Sequence, residues 1–152
     1  MLQVTKVFRF EMAHAIHGYD GPCKHLHGHS YELYVTVAQA TDSEGYIAAP
    51  GFVLDFKVLK QLVQSTVISQ LDHRLVLSQA YVDHHPFTKV AANVVIWEAE
   101  PTAENMLVYM QQQLGPQLPA GTRLTALKLY ETADSFAEWY NPQLPQPRQS
   151  GL

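Results

Sequence analysis

His29-Ser30-Tyr31-Glu32-Leu33-Tyr34-Val35-Thr36-Val37-Ala38-Gln39-Ala40 is the stretch from which the fold can be read. Tyr31, Leu33, Val35 and Val37 fall on one side of an extended chain, and Glu32, Tyr34 and Thr36 fall on the other. Strict period-two alternation marks a strand with one face on a core and the other toward water. Upstream, residues 3–13 are rich in Val, Phe and Met and read as a second strand. Residues 17–28 hold Gly18, Gly21, Pro22 and Gly28 and read as a loop between the two.

Downstream, residues 41–51 read as a turn region leading into a short strand, Phe52-Val53-Leu54. Asp55 then stands as a helix N-cap. Val58, Leu59, Leu62, Val63, Val67 and Leu71 recur at helical spacing after it, which predicts an amphipathic helix over 56–70. Residues 72–92 read as irregular, with His84-His85-Pro86 inside, and Val94-Val95-Ile96-Trp97 as a short buried strand. Pro101 and Thr102 open a second helix, with Glu104 favourably placed at the positive end of its dipole, and Gly115-Pro116 ends it. Strands follow at 123–132 and 135–140. Hairpin-like strands with two helices imply an α+β domain, an antiparallel sheet with helices on one face. One domain over residues 1–140 is expected, followed by a Pro/Gln-rich tail, 141–152, extended or disordered.

The 152 residues suffice for a core without disulfides or structural metals. A formal charge of −4 argues against a nucleic-acid partner, which calls for a basic excess or stripe. No apolar run reaches the length of a transmembrane helix, and the N-terminus shows no basic segment followed by an apolar one. A cytoplasmic location without membrane partners is the expectation.

Five of the eight histidines lie between positions 14 and 29. His27-Gly28-His29 is an H-x-H pair at the start of the alternating strand, so both imidazoles leave the same side and can reach one ion. Gly28 keeps the position between them free of a side chain. His14 ends the preceding strand, and an antiparallel pairing would bring it to the pair. Three neutral imidazoles with a fourth position open is the donor set of a catalytic zinc. Cys23 closing the shell would instead make a structural one. Surface histidines engaged in hydrogen bonds are the plainer alternative for any of the eight, and the one adopted for His17, His25, His84 and His85.

Cys23 is the sole cysteine and so forms no intrachain disulfide. It is either a small buried residue or a thiol activated by a cationic pocket, with Lys24 beside it. Asp72-His73 after the first helix is either a helix-terminal hydrogen-bonding pair or a carboxylate-oriented imidazole. Glu131 lies in line with Leu127 and Leu129, where a carboxylate needs a partner: an arginine, or a ligand with an amidine-like edge.

Six segments, in order, resemble the 6-pyruvoyl-tetrahydropterin synthase family. They are Phe10-Glu11-Met12-Ala13-His14, Cys23-Lys24-His25-Leu26-His27-Gly28-His29-Ser30-Tyr31, Val53-Leu54-Asp55-Phe56, Leu71-Asp72-His73, Pro101-Thr102-Ala103-Glu104-Asn105 and Tyr130-Glu131-Thr132. The resemblance implies a tunnelling fold: an antiparallel four-stranded sheet with two helices on one face, joined between subunits into a barrel. A homo-oligomer, a hexamer of two trimers or a tetramer, would then carry interfacial active sites. It implies Zn2+ on His14, His27 and His29, Cys23 as the catalytic thiol, Asp72 with His73 as a proton-transfer pair, and Glu131 as the anchor of a pterin ring. The three residues between Cys23 and His27 resemble the bacterial 6-carboxy-tetrahydropterin synthases of that family. For those the implied substrate is 7,8-dihydroneopterin triphosphate, and the products are 6-carboxy-5,6,7,8-tetrahydropterin, acetaldehyde and triphosphate, on the route to queuosine. The stretch from Leu75 to Glu100 is long, and its His84-His85-Pro86 matches no motif of the family.

Overall fold

Strands β1 (Gln3–His14) and β2 (His27–Gln39) pair antiparallel from Gln3 opposite Ala38 to His14 opposite His27. The register sets Phe8, Phe10 and Met12 against Leu33, Tyr31 and His29 on one face. All the apolar members of that face are buried, as the alternation predicts, while Glu32, Tyr34 and Thr36 stay half-exposed. The computed structural model describes residues 1–41 and 45–144. Positions 42–44 of the expected turn region and 145–152 of the expected tail lie outside the described residues.

The expected first helix forms as helix α1 (Phe56–Val63), a π-helical segment (Gln64–Ile68) and a last turn, α2 (Ser69–Leu71). Asp55 caps it, its carboxylate accepting the Lys57 N–H at 2.7 Å. The second expected helix is α4 (Ala103–Leu114), capped by the Thr102 hydroxyl. It buries Met106, Leu107, Met110 and Leu114 against strands β5 (Thr122–Tyr130) and β6 (Phe136–Tyr140). All of these elements share one core with the sheet face carrying Leu33, Val35, Leu127 and Leu129. Each fully buried leucine there contributes about 1.5–3 kcal/mol.

The sheet departs from the expected four antiparallel strands. It has six, in the order β4-β3-β1-β2-β5-β6, and is mixed. Strand β3 (Arg74–Ser78) pairs parallel with the end of β1, and β4 (Val94–Trp97) parallel with β3. The region read as irregular thus supplies a strand, and then a short helix α3 (Gln79–His84) capped by Ser78. Val76, Leu77 and Ser78 are all buried, so β3 shows no alternation to read. Val76 enters the main core, whereas Leu77 joins Ala15, Tyr81 and Val82 in a second small cluster. Neighbouring strand residues point oppositely, so α3 covers the face of β3 away from the main core, and the helices are not confined to one face.

Phe52-Val53-Leu54 forms no strand: the chain bends there, burying Leu54 and leaving Phe52 exposed, before entering the Asp55 cap. Asn141 turns the chain end back onto β5, its side chain donating to Leu124 O at 2.9 Å, so the start of the expected tail is a turn. Among the described residues no helix is long and apolar enough to cross a membrane.

Candidate active site

The β1–β2 register decides the site. His14 faces His27 across the ladder, and His29 lies two residues on, on the same side. Their rings come within 4.6–5.2 Å of one another, centroid to centroid. Glu131, just past the end of β5, joins them. One donor atom from each of His14, His27, His29 and Glu131 lies within 4.8 Å of all the others. Cys23 is not a member of that set, so the thiolate-closed shell weighed from the sequence is not what the structure assembles.

Two of the imidazoles are oriented by the main chain. His14 Nδ1–H donates to Pro101 O at 2.8 Å, and His27 Nδ1–H donates to His25 O at 2.7 Å. Because a carbonyl only accepts, both rings must carry the proton on Nδ1. When neutral they present bare Nε2 lone pairs to each other, and those two atoms are 3.1 Å apart. Such a contact is repulsive without a cation or a proton between the nitrogens. The third ring adds a second sign. His29 Nε2 is buried without a hydrogen-bond partner among the described residues, although Glu131 Oε1 approaches it to 2.9 Å. Opposed lone pairs, an orphaned ring nitrogen and an adjacent carboxylate fit a metal ion bound by imidazole nitrogen.

Contact with His14, 3.4 Å away, and the charges that His14, His29 and His27 can carry hold the Glu131 carboxyl below its usual range, against the effect of burial. Burial holds His29 below the ordinary imidazole range; Glu131 opposes this, while His14 and His27 add to it. Tyr31, next on the same face, is 1% exposed, and its hydroxyl has no hydrogen-bond partner among the described residues. Burial first, then the charges of Glu131 and Cys23, push its ionisation far above the usual phenol range. The alternation marked Tyr31 only as a core residue, and nothing in the sequence signals its unpaired hydroxyl.

Beside the cluster lies a cavity of about 320 Å3. Its walls include His14, Cys23 and Glu131, the first turn of α4 (Thr102 to Glu104), and Phe136. Cys23 is half-buried in a 3-10 turn, Pro22–Lys24, whose loop is closed by the Ile16 N–H on Cys23 O at 2.9 Å. His14, the thiol and Glu131 thus converge on one space.

Asp72 and His73 do not join them. Asp72 Oδ1 accepts the Glu11 N–H at 2.9 Å, and the His73 N–H donates to Glu11 O at 2.6 Å, so the pair prolongs the pairing of β1 with β3. Asp72 Oδ1 also lies 3.0 Å from His73 Nδ1. The Glu11 hydrogen bond above all holds the Asp72 carboxyl below its usual range. The His73 side chain is 78% exposed, beside a depression lined by Glu11, Met12, Ala13, Gly28, His29 and Ser30. Strand parity puts the side chains of Glu11, Ala13 and Ser30, with Gly28, on the face opposite the histidine cluster. Gly28 therefore clears space on that outer face, where an added Cβ would meet Met12 O at 3.3 Å, and not between the two histidines.

Of the other histidines, His84 and His85 donate from Nδ1 to Ala80 O and Tyr81 O, as surface histidines do.

A sequence profile described as 6-pyruvoyl tetrahydropterin synthase matches residues 3–142. A protein of Rickettsia bellii named 6-carboxy-5,6,7,8-tetrahydropterin synthase is 31% identical over 144 residues, covering 91% of this chain and 99% of its own. Its namesake in Rickettsia typhi is 32% identical over 146 residues with the same coverage, and that of Haemophilus influenzae 28% over 143 residues. Among solved structures, the 6-pyruvoyl tetrahydropterin synthase of Caenorhabditis elegans superposes with a TM-score of 0.64 at 23% identity, covering 92% of this chain and 95% of that one. The enzyme of the same name from Plasmodium falciparum does so at 0.66 and 19%, covering 92% and 97%. At these identities the two structures attest the fold.

Proposed function

The chain belongs to the 6-pyruvoyl tetrahydropterin synthase family, and from that premise we propose that it is a 6-carboxy-5,6,7,8-tetrahydropterin synthase. It is then a lyase that converts 7,8-dihydroneopterin triphosphate and one water to 6-carboxy-5,6,7,8-tetrahydropterin, acetaldehyde and triphosphate. The observation that carries this reading is the cluster of His14, His27, His29 and Glu131 beside a cavity whose walls include His14, Glu131 and Cys23.

In this reading His14, His27 and His29 hold Zn2+, which three neutral imidazoles suit. When bound, the metal supplies Lewis-acid polarisation of the oxygens of the substrate side chain. Glu131 has one carboxylate for two surroundings. Beside the rings it is a further donor; toward the cavity it accepts two parallel hydrogen bonds from the amidine-like edge of a pterin, fixing the ring for proton transfer. Cys23, as thiolate, takes a proton from the side chain.

The Asp72–His73 pair lies on the opposite face of the sheet from its own protomer's cavity. It acts, in this proposal, on the site of a neighbouring copy, with Asp72 orienting the imidazole that relays the proton. The working enzyme is then a homo-oligomer, a hexamer or tetramer, with active sites between subunits.

Incubation of the zinc-loaded protein with 7,8-dihydroneopterin triphosphate tests the reading. Acetaldehyde and a 6-carboxy-pterin are the expected products. Release of 6-pyruvoyl-tetrahydropterin without acetaldehyde would overturn it in favour of the other activity of the family.

A further inference from the structure

A second cavity adjoins the first. It encloses about 550 Å3, and Ile16 and Tyr19 belong to the walls of both. The 3-10 turn Pro22–Lys24 divides them. Successive side chains on such a turn leave about 120° apart, so Cys23 faces the first cavity and Lys24 the second. Local contacts hold the loop in this arrangement. Besides the Ile16–Cys23 hydrogen bond, Gly21 packs so closely on Tyr19 that an added Cβ would lie 2.4 Å from its hydroxyl.

The lining of the second cavity is unusual for this chain. Acidic residues outnumber Lys and Arg by 14 to 10, yet the walls hold Lys24, His17, His25 and His85 and no carboxylate. The far wall is α3 with the turn after it, the segment that matched no motif of the family. His85 is set there with care. Its Nδ1–H donates to Tyr81 O at 3.0 Å and its ring stacks on Tyr81 at 4.2 Å, which leaves Nε2 as its free polar atom. The His17 ring is steadied by His84, 4.3 Å away. Two carboxylates stand behind the lining. Asp20 reaches Lys24 Nζ at 3.1 Å from a fully exposed position, and Glu100 accepts the His17 backbone N–H at 2.8 Å.

We propose that this second cavity is the subsite for the triphosphate of the substrate, with Lys24 and the imidazoles of His17, His25 and His85 as its donors. The inference rests on the activity proposed above, in which the pterin occupies the Cys23 cavity and its side chain carries the phosphates. An ammonium and imidazole N–H groups donate to phosphate oxygens with charge assistance, and His85, whose Nδ1–H is committed to Tyr81 O, does so from Nε2 as the imidazolium. Four of them around a space this large match a chain of phosphates better than a single carboxylate. Held there, the leaving triphosphate has its developing charge met by fixed donors as it departs.

The test compares two ligands on the zinc-loaded, full-length protein: inorganic triphosphate and phosphate-free 7,8-dihydroneopterin. Lys24→Gln and His85→Gln lie on separate elements, and each should weaken inorganic triphosphate and raise KM for the substrate by about tenfold. Binding of 7,8-dihydroneopterin should stay within twofold. His17→Gln gives the same reading if either variant fails to melt cooperatively. Unchanged triphosphate affinity, or equal loss of both ligands, overturns the subsite. If the wild-type protein turns over no 7,8-dihydroneopterin triphosphate, the proposed activity falls, and the subsite is then judged by the triphosphate titration alone.

Discussion

Replacing His27 by alanine separates the metal centre from the fold. In the metal-free protein His27 makes one hydrogen bond, to the exposed carbonyl of His25, which water can replace. Its loss should cost well under about 1 kcal/mol. The metal-loaded state behaves differently. A ligand that binds only the folded chain stabilises it by RT ln(1 + [L]/Kd), about 2.7 kcal/mol when zinc stands at 100 times Kd. For a chain of this size that is a rise in Tm of roughly 5–11 °C, at about 2–4 °C per kcal/mol. Losing groups that merely support a ligand weakens metals by about 10–100-fold, and losing a ligand should cost at least about 100-fold. At the same zinc concentration the gain then shrinks to RT ln 2, about 0.4 kcal/mol, near 1 °C. Thermal melts with and without zinc, with metal content measured on the same samples, read this directly. His84→Ala, outside the cluster, should keep the full gain. A His27→Ala protein that retains the wild-type zinc shift would refute the assignment of that ring to the metal.

Cys23→Ala should bind zinc stoichiometrically while turnover collapses; turnover within a few-fold of wild type would remove the thiol from the chemistry. Tyr31→Phe should raise the melting temperature of the metal-free protein, because it removes a buried hydroxyl that has no partner, a group that costs about 1–3 kcal/mol to bury; a lower melting point would show that the hydroxyl is paired. Asp72→Asn keeps the acceptor for the Glu11 N–H and removes only the charge. The Asp72 value is depressed in the folded protein, so its contribution is complete above the unfolded value of about 3.9 and is lost as pH falls through the folded value. The variant should therefore be about 0.5–1 kcal/mol less stable at pH 7, a modest figure for a partly exposed group, and should match wild type near pH 2. A deficit that persists in acid, followed by urea titrations across pH, would contradict this.

Where side chains alternate or recur at helical spacing, the sequence announces the structure: β1, β2, α4 and the Asp55 cap all stand where the pattern puts them. β3 escaped because a short strand buried at Val76, Leu77 and Ser78 has no polar face to reveal it, and α3 because six residues carry too little periodicity. Phe52-Val53-Leu54 misled in the other direction. Three apolar residues suggest a strand, but here Leu54 serves the core from a bend. At the site, the shared face of His27 and His29 is legible from two-residue spacing, and the approach of His14 from the expected antiparallel register. Glu131 lies a hundred residues away, and only the β2–β5 pairing brings it to the rings. The separation of Asp72–His73 from the cavity was not legible either, because it depends on which face of the sheet β3 leads away from.

The main-chain anchoring of His14 and His27 has a consequence for how this centre can change over evolutionary time. In many metal proteins the groups that orient the ligands are themselves side chains, so affinity and metal preference drift through substitutions one step removed from the ion. Here Pro101 and His25 contribute their carbonyls, which every amino acid possesses. Selection has nothing to tune behind those two rings short of bending the backbone. What remains adjustable is the other half of the ring of donors, His29 and the carboxylate of Glu131 beside it. A lineage or an engineer seeking a different metal, or none, would have to work through that pair.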